Sequence, residues 1–590
     1  MPDGEAVSGV GQWLAAFESA LKRDDLAAAV DLFVEDAFWR DIVAFTWDIR
    51  TLEGRPAIQE LLEAASELAR SASWSTTSVD NDQEGVLSFE TALGRGHGYL
   101  RLRGGRCSTL LTCLEELKGH EETRGPRRPR GASVGPADPD ENWKNRLEAE
   151  SRAMGRETQP FVLIVGGGQG GLALGARLRQ LQVPTLIVDQ HPRVGDQWRS
   201  RYASLCLHDP VWYDHLPYLP FPDTWPVYTP KDKIGDWLEA YAQAMELLVW
   251  CSTRCVSAAY DAEAGRWTVT LRRGEETSVI RPAHLVLATG NAGKPRVPRF
   301  KGQAQFEGPI LHSSAYRSGA DFKGRRVAVI GSNNSAHDIC ADLVAHGVDV
   351  TMIQRSSTHV VRSETVMRTM LAPLYSEEAL AAGIGTELAD LLVASMPLRL
   401  QAEGYRALHV AIAEQDAAFY AALEAVGFMH DFGEDGTGMP LKYLRRASGY
   451  YIDVGASELL ASGAIKLRSR VEIDHFDTDG LVLSDGSKVD ADAVVCATGF
   501  GSMDEWAAEL ISPEVAAKVG KVWGYGSDTR GDPGPWEGEL RNMWKPTRQQ
   551  GLWFQGGNLA QTRFYSRALA LQLKARHAGL PVKVYGVVTD

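Results

Sequence analysis

Cysteine is scarce and scattered. Seven occur in 590 residues (Cys107, Cys113, Cys206, Cys251, Cys255, Cys340 and Cys496), with no framework spacing. Three residues separate Cys251 from Cys255, so there is neither a thioredoxin-like C-x-x-C pair nor a usual zinc knuckle, and no metal site is expected. Unpaired thiols fit a reducing compartment. Long apolar runs are missing too. None approaches the ~20 residues of a membrane span, and no charged-then-apolar leader follows Met1. The expectation is a cytoplasmic protein without an integral membrane segment. Basic residues fall short of acidic ones, 62 against 76, for a net charge of −14. Nucleic-acid surfaces need stripes of Lys and Arg to neutralise phosphates, so nucleic acid is excluded as a general partner. The chain is still too long for one core and should divide into about three domains.

What is present is a pair of glycine-rich turns, each between an apolar strand and a helix. The first runs Phe161-Val162-Leu163-Ile164-Val165-Gly166-Gly167-Gly168-Gln169-Gly170-Gly171, and its second strand ends Ile187-Val188-Asp189-Gln190. Gly166 permits the tight bend, Gly168 lets backbone approach a pyrophosphate, and Gly171 lets the helix lie close to the strand. The helix N-terminus, here at Gly170 and Gly171, offers unpaired N–H groups to phosphates. The second turn runs Val327-Ala328-Val329-Ile330-Gly331-Ser332-Asn333-Asn334-Ser335-Ala336, and its second strand ends Ile353-Gln354-Arg355-Ser356. Asp189 suits a free ribose 2′-hydroxyl, whereas Arg355 suits a 2′-phosphate. FAD at the first turn and NADPH at the second are the simplest pair. The second turn departs from the pattern at Asn333, where a left-handed asparagine is expected in place of the middle glycine. Ala336 at the last position is tolerated.

The fold class expected is α/β: two Rossmann-like dinucleotide-binding domains preceded by a small α+β unit. Residues 1–120 form that unit, with helical spacing over Trp13–Lys22, Leu26–Phe33 and Pro56–Ala69. Strands are expected near Val86–Thr91, Gly98–Arg103 and Cys107–Leu114. A solvated linker is expected over 121–159, including the basic run Arg124–Arg130. The FAD-binding domain should occupy 160–320 and 486–590. The NADPH-binding domain should occupy 321–485, with a helical insertion over about 364–428. Near the C-terminus, Leu552–Gln555 is expected as a strand, Asn558 as a cap, and Leu559–Lys574 as a helix. That helix N-terminus either faces the anionic edge of a reduced flavin or simply packs.

The segment between the turns carries a family resemblance. Phe306-Glu307-Gly308-Pro309-Ile310-Leu311-His312-Ser313-Ser314-Ala315-Tyr316-Arg317 resembles the F-x-G-x-x-x-H-x-x-x-Y-[KR] signature of flavin-containing monooxygenases. Leu287-Ala288-Thr289-Gly290-Asn291 and Cys496-Ala497-Thr498-Gly499-Phe500 are similar to the family's A-T-G connections, and Pro222–Lys231 with Arg355–Val360 resembles its YUCCA-type branch. The usual G-G-x-W appears as Gly195-Asp196-Gln197-Trp198. The resemblance implies a class B monooxygenase in which NADPH reduces FAD and O2 forms a C4a-hydroperoxyflavin. One oxygen atom then passes to a small-molecule substrate. N- or S-oxygenation is the first expectation. The alternative is attack on a carbonyl, by Baeyer–Villiger chemistry or oxidative decarboxylation of a 2-oxo acid. Tyr316 stands where Baeyer–Villiger enzymes usually carry tryptophan. By the same resemblance His208 and Asn291 are the catalytic candidates. Gln197, Trp198, His208, Ala288, Thr289, Gly290, Thr498, Gly499, Asn558 and Leu559 join the turns as cofactor contacts. The first 120 residues resemble the small cone fold of the SnoaL and ketosteroid-isomerase group. That unit is expected to cover the flavin site or to form a homodimer. A second activity using Asp41 as base competes with an exposed strand carboxylate at that position.

Overall fold

The computed structural model describes residues 9–131, 142–291 and 293–586, so the middle of the expected linker, 132–141, lies outside the described residues. Helices Gly9–Lys22, Leu26–Asp31, Gly54–Ala64 and Ser66–Arg70 pack on a six-stranded mixed sheet made by residues 33–117. The sequence expectation needs three corrections here. The second helix stops at Asp31, because Phe33 starts the strand Phe33–Ile42. The expected helix over Pro56–Ala69 breaks at Ala65, whose φ of −107° and ψ of 20° leave the helical region. Asp41 is not an exposed strand carboxylate but is fully buried. It accepts hydrogen bonds from the N–H of Phe45 and Thr46 and from the hydroxyls of Thr46 and Thr112. Burial lifts its pKa, and these four donors work against that rise. The interior of this unit is filled by Trp13, Phe17, Phe33, Trp39, Phe45, Trp74 and Phe89, whose ring centroids lie 4.8–6.2 Å apart.

Two further units follow one plan. The strand orders are a five-stranded parallel sheet beside a three-stranded antiparallel meander, twice over. In the first, Val162–Val165 is central, flanked by Thr185–Val188 and His284–Leu287, with Leu552–Phe554 returning from the C-terminus at the edge. In the second, Arg326–Ile330 is central, flanked by Asp349–Gln354 and Ala493–Cys496, with Ile310–His312 at the edge. All four residues of Val162–Val165 are buried, as a continuous apolar run covered on both faces requires. Each turn therefore sits at the carboxyl end of its sheet, between strand and crossover helix, where such folds bind ligands.

Residues 363–425 contribute Ser363–Val366, Glu377–Ala381, Thr386–Ala394, Leu398–Gln415 and Ala417–Ala425, all helical. Tyr420 is core in this insertion, and its ring packs on His430 and Phe432. The start of the expected linker is anchored rather than solvated: Glu122 is buried against Arg177 and the Tyr218 hydroxyl. The N-terminal sheet docks through the buried ion pair Arg40–Glu539, with Nε–Oε1 at 2.6 Å. Arg40 also donates to the carbonyl of Ala394 in the insertion and to the Tyr565 hydroxyl on the terminal helix Leu559–His577.

Candidate functional site

At the first turn the bend is made by Gly166, whose φ of 116° favours glycine and whose β-carbon would run into the Ala288 carbonyl oxygen. A β-carbon on Gly171 would meet the Gly166 carbonyl oxygen, which is the close approach a glycine there permits. The helix Gln169–Gln180 follows, with Gly168 as its cap. Its first N–H groups have no partner within the helix and point toward the carboxyl end of the sheet. Asp189 is buried and accepts from Gly167 N at 2.6 Å and from His191 N at 2.8 Å, so it also ties strand end to turn. Gln190 beside it is exposed.

Polar atoms around this turn fit a cofactor. Gln197 Nε2, Trp198 Nε1, Thr289 Oγ1 and both amide atoms of Gln555 are buried with no hydrogen-bond partner among the described residues. Gln197 Nε2 lies 3.4 Å from the place of a β-carbon on Gly168, and Gln555 Cγ lies 3.5 Å from that on Gly170. A buried amide without partners costs about 1–3 kcal/mol for each group left unpaired. Such a concentration beside a phosphate-binding helix start is the complement of a ligand with several donors and acceptors. The residues present fit FAD.

The second turn copies the first. Gly331 has a φ of 127°, and its β-carbon would strike the Ala497 carbonyl oxygen as Gly166 would strike Ala288. Asn333 is not left-handed, contrary to the sequence expectation. Its φ of −98° and ψ of −170° are extended, like the −78° and −174° of Gly168. The reversal is completed at Gly331, so the middle position imposes no glycine conformation and concerns space only. Asn333 Oδ1 accepts from Thr358 Oγ1 at 3.3 Å, and Thr358 also bonds the Ser332 hydroxyl at 2.8 Å. Asn334 Oδ1 accepts from Ile452 N at 3.0 Å. Ser335 is half-buried and Ala336 fully buried. Arg355 and Ser356 are exposed at the strand end, and Arg355 has no ion-pair partner among the described residues. An open guanidinium at that place fits a 2′-phosphate.

The signature segment lies where the two units meet. His312 Nε2 donates to the Gly499 carbonyl at 3.0 Å, while its Nδ1 accepts from Ser314 N at 3.1 Å. Its ring stands edge-on to Phe500. Thr498 Oγ1 donates to the Arg296 carbonyl at 2.6 Å, which joins the second A-T-G connection to the chain after the first. Tyr316 is fully buried and donates to Asp342 at 2.6 Å. Arg201 points to this junction, 5.6 Å from the Phe500 ring centre, with no carboxylate partner among the described residues. Desolvation, with Arg317 nearby, holds its pKa below the ordinary arginine value.

The terminal helix begins at a capping box, in which Asn558 Oδ1 accepts from Gln561 N and Gln561 Oε1 accepts from Asn558 N. Leu559 is buried behind it. Asn558 also donates from N to the Tyr443 hydroxyl and from Nδ2 to the Tyr213 hydroxyl, both at 3.1 Å. Asn291 reaches the same turn, its Oδ1 3.7 Å from the place of a β-carbon on Gly556. His208 lies on the other side, Nε2 3.9 Å from Asp338 Oδ2 on the helix after the second turn. The structure thus sets His208 toward the second nucleotide turn and Asn291 toward the terminal helix.

Three groups escaped the sequence reading. Gln555 reads in sequence as a strand end, and its unpartnered amide shows only in three dimensions. Arg201 carries no motif of its own. Asp209 follows His208 directly and shares its loop with Tyr213, but its neighbours Tyr443 and Tyr450 come from a distant part of the chain.

Comparison with known proteins bears on this arrangement. Residues 163–390 match the family described as "Pyridine nucleotide-disulphide oxidoreductase". All seven cysteines are free. The chain is 32% identical over 375 residues to "Indole-3-pyruvate monooxygenase YUCCA1" of Oryza sativa subsp. japonica, across 62% of this chain and 84% of that protein. It is also 32% identical over 376 residues to "Indole-3-pyruvate monooxygenase YUCCA8" of Oryza sativa subsp. indica, across 62% and 82%. In fold it resembles cyclohexanone monooxygenase bound to epsilon-caprolactone, with a TM-score of 0.51 and 18% identity. That likeness covers 71% of this chain and 88% of the other.

Proposed function

This chain belongs to the flavin monooxygenase family, and we propose that it inserts one atom of O2 into a small organic carbonyl compound at the expense of NADPH. Enzymes of this family work with FAD and NADPH. Together the two cofactors supply hydride transfer and the activation of O2. The duplicated turn carries the reading: one plan used twice, with Asp189 closing the first site and Arg355 open at the second. The Gly166–Gly171 turn and the helix behind it would hold the FAD pyrophosphate, and the unpartnered atoms of Gln197, Thr289 and Gln555 would bond the same cofactor. The Gly331–Ala336 turn holds the pyrophosphate of NADPH, and Arg355 with Ser356 its 2′-phosphate. His312 and Thr498 brace the junction between the two nucleotide-binding units. The helix capped by Asn558 would present its positive end beside Gln555.

The relatives are named for indole-3-pyruvate, a 2-oxo acid, and this favours carbonyl attack over the N- or S-oxygenation that the signature alone put first. For the N-terminal residues we favour a SnoaL-like cone fold acting as a bracing module. Its interior is packed with aromatic rings, and Asp41 is committed to four donors, which weighs against a second activity there. The test is oxygen labelling. Purified protein with FAD, NADPH and ¹⁸O2 should convert phenylpyruvate to phenylacetate carrying one labelled oxygen, with release of CO2, NADP⁺ and water. Label-free product, or NADPH oxidation that gives only hydrogen peroxide with every carbonyl probe, would count against the reading.

A further inference from the structure

A cavity of about 440 Å3 opens between the helical insertion and the C-terminal part of the chain, and none of its lining residues belongs to the two nucleotide turns. One wall is a single face of the helix Leu398–Gln415, where Arg399, Ala402, Glu403 and Arg406 recur at helical spacing. The loop Tyr525–Asp528 and Trp536 supply another, and Asp435 and Arg445 complete the lining. The volume suits a small organic ligand. Both walls are held in place. The Glu53 carboxylate reaches in from the N-terminal unit, accepting from Arg399 Nε at 2.8 Å and from Trp536 Nε1 at 2.6 Å. The Arg399 guanidinium lies over the Trp536 ring, 4.4 Å from its centre, and Tyr525 meets the same ring edge-on at 5.2 Å. In the loop, buried Asp532 accepts from the N–H groups of Tyr525, Gly526 and Ser527 and pairs with Arg541. Asp528, next along, takes a left-handed φ of 55°, a conformation that surrounding bonds sustain most often at functional sites.

What stays open in this lining carries both signs. Arg445 is spent, with its two amino groups on Asp435 and its Nε on the Tyr525 hydroxyl. Arg399 gives only Nε to Glu53, and Arg406 gives Nε to the Asp435 carbonyl and one amino group to its carboxylate. The remaining amino groups of both have no acceptor among the described residues, and each side chain is 49% exposed. Glu403 and Asp528 are exposed, and their carboxylates have no ion-pair or hydrogen-bond partner among the described residues. A simple anion would meet two open carboxylates here, and a simple cation two open guanidiniums. A ligand bearing one charge of each sign satisfies both pairs. We propose that the cavity binds an α-amino acid zwitterion with an apolar side chain. Its carboxylate sits on Arg399 and Arg406, its ammonium on Glu403 and Asp528, and its side chain against Trp536, Tyr525 and Ala402. A guanidinium already fixed by Glu53 and an indole face loses little freedom in gripping a carboxylate through its planar fork. Because Glu53 comes from the N-terminal unit, that unit completes the site. Occupation needs neither NADPH nor O2.

The test is a calorimetric titration of the full chain, without NADPH, by L-phenylalanine, phenylacetate, phenethylamine and glycine. Phenylalanine should saturate a single site. Each of the other three lacks one charge or the ring and should bind at least about tenfold more weakly, the worth of a charged hydrogen bond or of a buried side chain. The variants then separate the two ends of the ligand. R399A should weaken phenylalanine and phenylacetate by about tenfold and leave phenethylamine within about twofold. The double variant E403Q with D528N should do the reverse, weakening phenylalanine and phenethylamine while phenylacetate holds or tightens. Its two side chains are exposed and unpaired, so it decides the matter if R399A, which also frees Glu53, fails to fold. The assignment is overturned if phenylalanine shows no saturable binding with a Kd below about 10 mM. It is equally overturned if a singly charged probe binds as tightly, or if the carboxylate variants leave phenylalanine binding unchanged.

Discussion

Removing the Glu539 carboxylate should loosen the N-terminal unit more than any change on its surface. Arg40 and Glu539 are 5% and 4% exposed, and together they make two direct bonds, 2.6 and 2.8 Å. Thr51 adds a hydroxyl to Glu539 at 2.7 Å, and Arg40 spends its other N–H groups on Ala394 and Tyr565. Burial opposes the charged form of each partner, yet their mutual attraction prevails, raising Arg40 and lowering Glu539. In Glu539→Leu the guanidinium stays buried with no counter-charge, a change that costs about 3–5 kcal/mol. With a urea m-value of about 2 kcal/mol/M for the transition of this unit, its midpoint falls by roughly 1.5–2.5 M. The double variant Arg40→Met with Glu539→Leu should recover most of that loss, since the pair leaves together. Acid acts in the same direction. Because the folded Glu539 pKa is depressed, its contribution is present above the ordinary glutamate range and is lost as pH falls through the folded value. Urea titrations followed by the fluorescence of Trp13, Trp39 and Trp74 measure all of this. A Glu539→Leu midpoint within about 0.5 M of the natural chain, or a double variant no better than the single, would refute the reasoning.

Three further outcomes follow from the sites. Arg355→Ala should raise the KM for NADPH by about tenfold or more, as loss of a charged hydrogen bond implies, and leave that for NADH nearly unchanged; equal effects on both would remove the 2′-phosphate assignment. Asn333→Gly should leave melting temperature and NADPH affinity within a few-fold of the natural values, since the backbone there is already extended, whereas Gly331→Ala should abolish NADPH binding through its positive φ and the Ala497 carbonyl. Gln555→Leu should raise the melting temperature of the FAD-free protein, by removing two unpaired buried atoms, and weaken FAD binding measured by flavin fluorescence; a stabilised protein with undiminished FAD affinity would show the amide faces something else.

Much of the nucleotide architecture was legible because its causes are local. Gly166, Gly331 and the apolar runs before them state a bend between a buried strand and a helix, and Asn558 with Gln561 states a helix start. Errors arose where a residue's setting is not local. Asparagine's left-handed preference was the wrong warrant for Asn333, since the bend had been completed two residues earlier. Asp41 alternates like an exposed strand residue but points into the packed side, and sheet register with Thr112 decides that. Glu122 looked like linker because Arg177 and Tyr218, which bury it, lie 55 and 96 residues away.

The sequence by itself determined the two turns, the contrast between Asp189 and Arg355, and the signature around His312, since each is written within a few consecutive residues and rests on backbone sterics or side-chain charge. Only the tertiary structure decided which groups meet. It brought Gln555 to Gly170, set Tyr213 and Tyr443 at one helix start, and closed an ion pair across 499 residues between Arg40 and Glu539. The physical reason is that hydrogen bonding and desolvation act over a few ångströms in space, and chain distance sets no bound on which atoms packing brings that close.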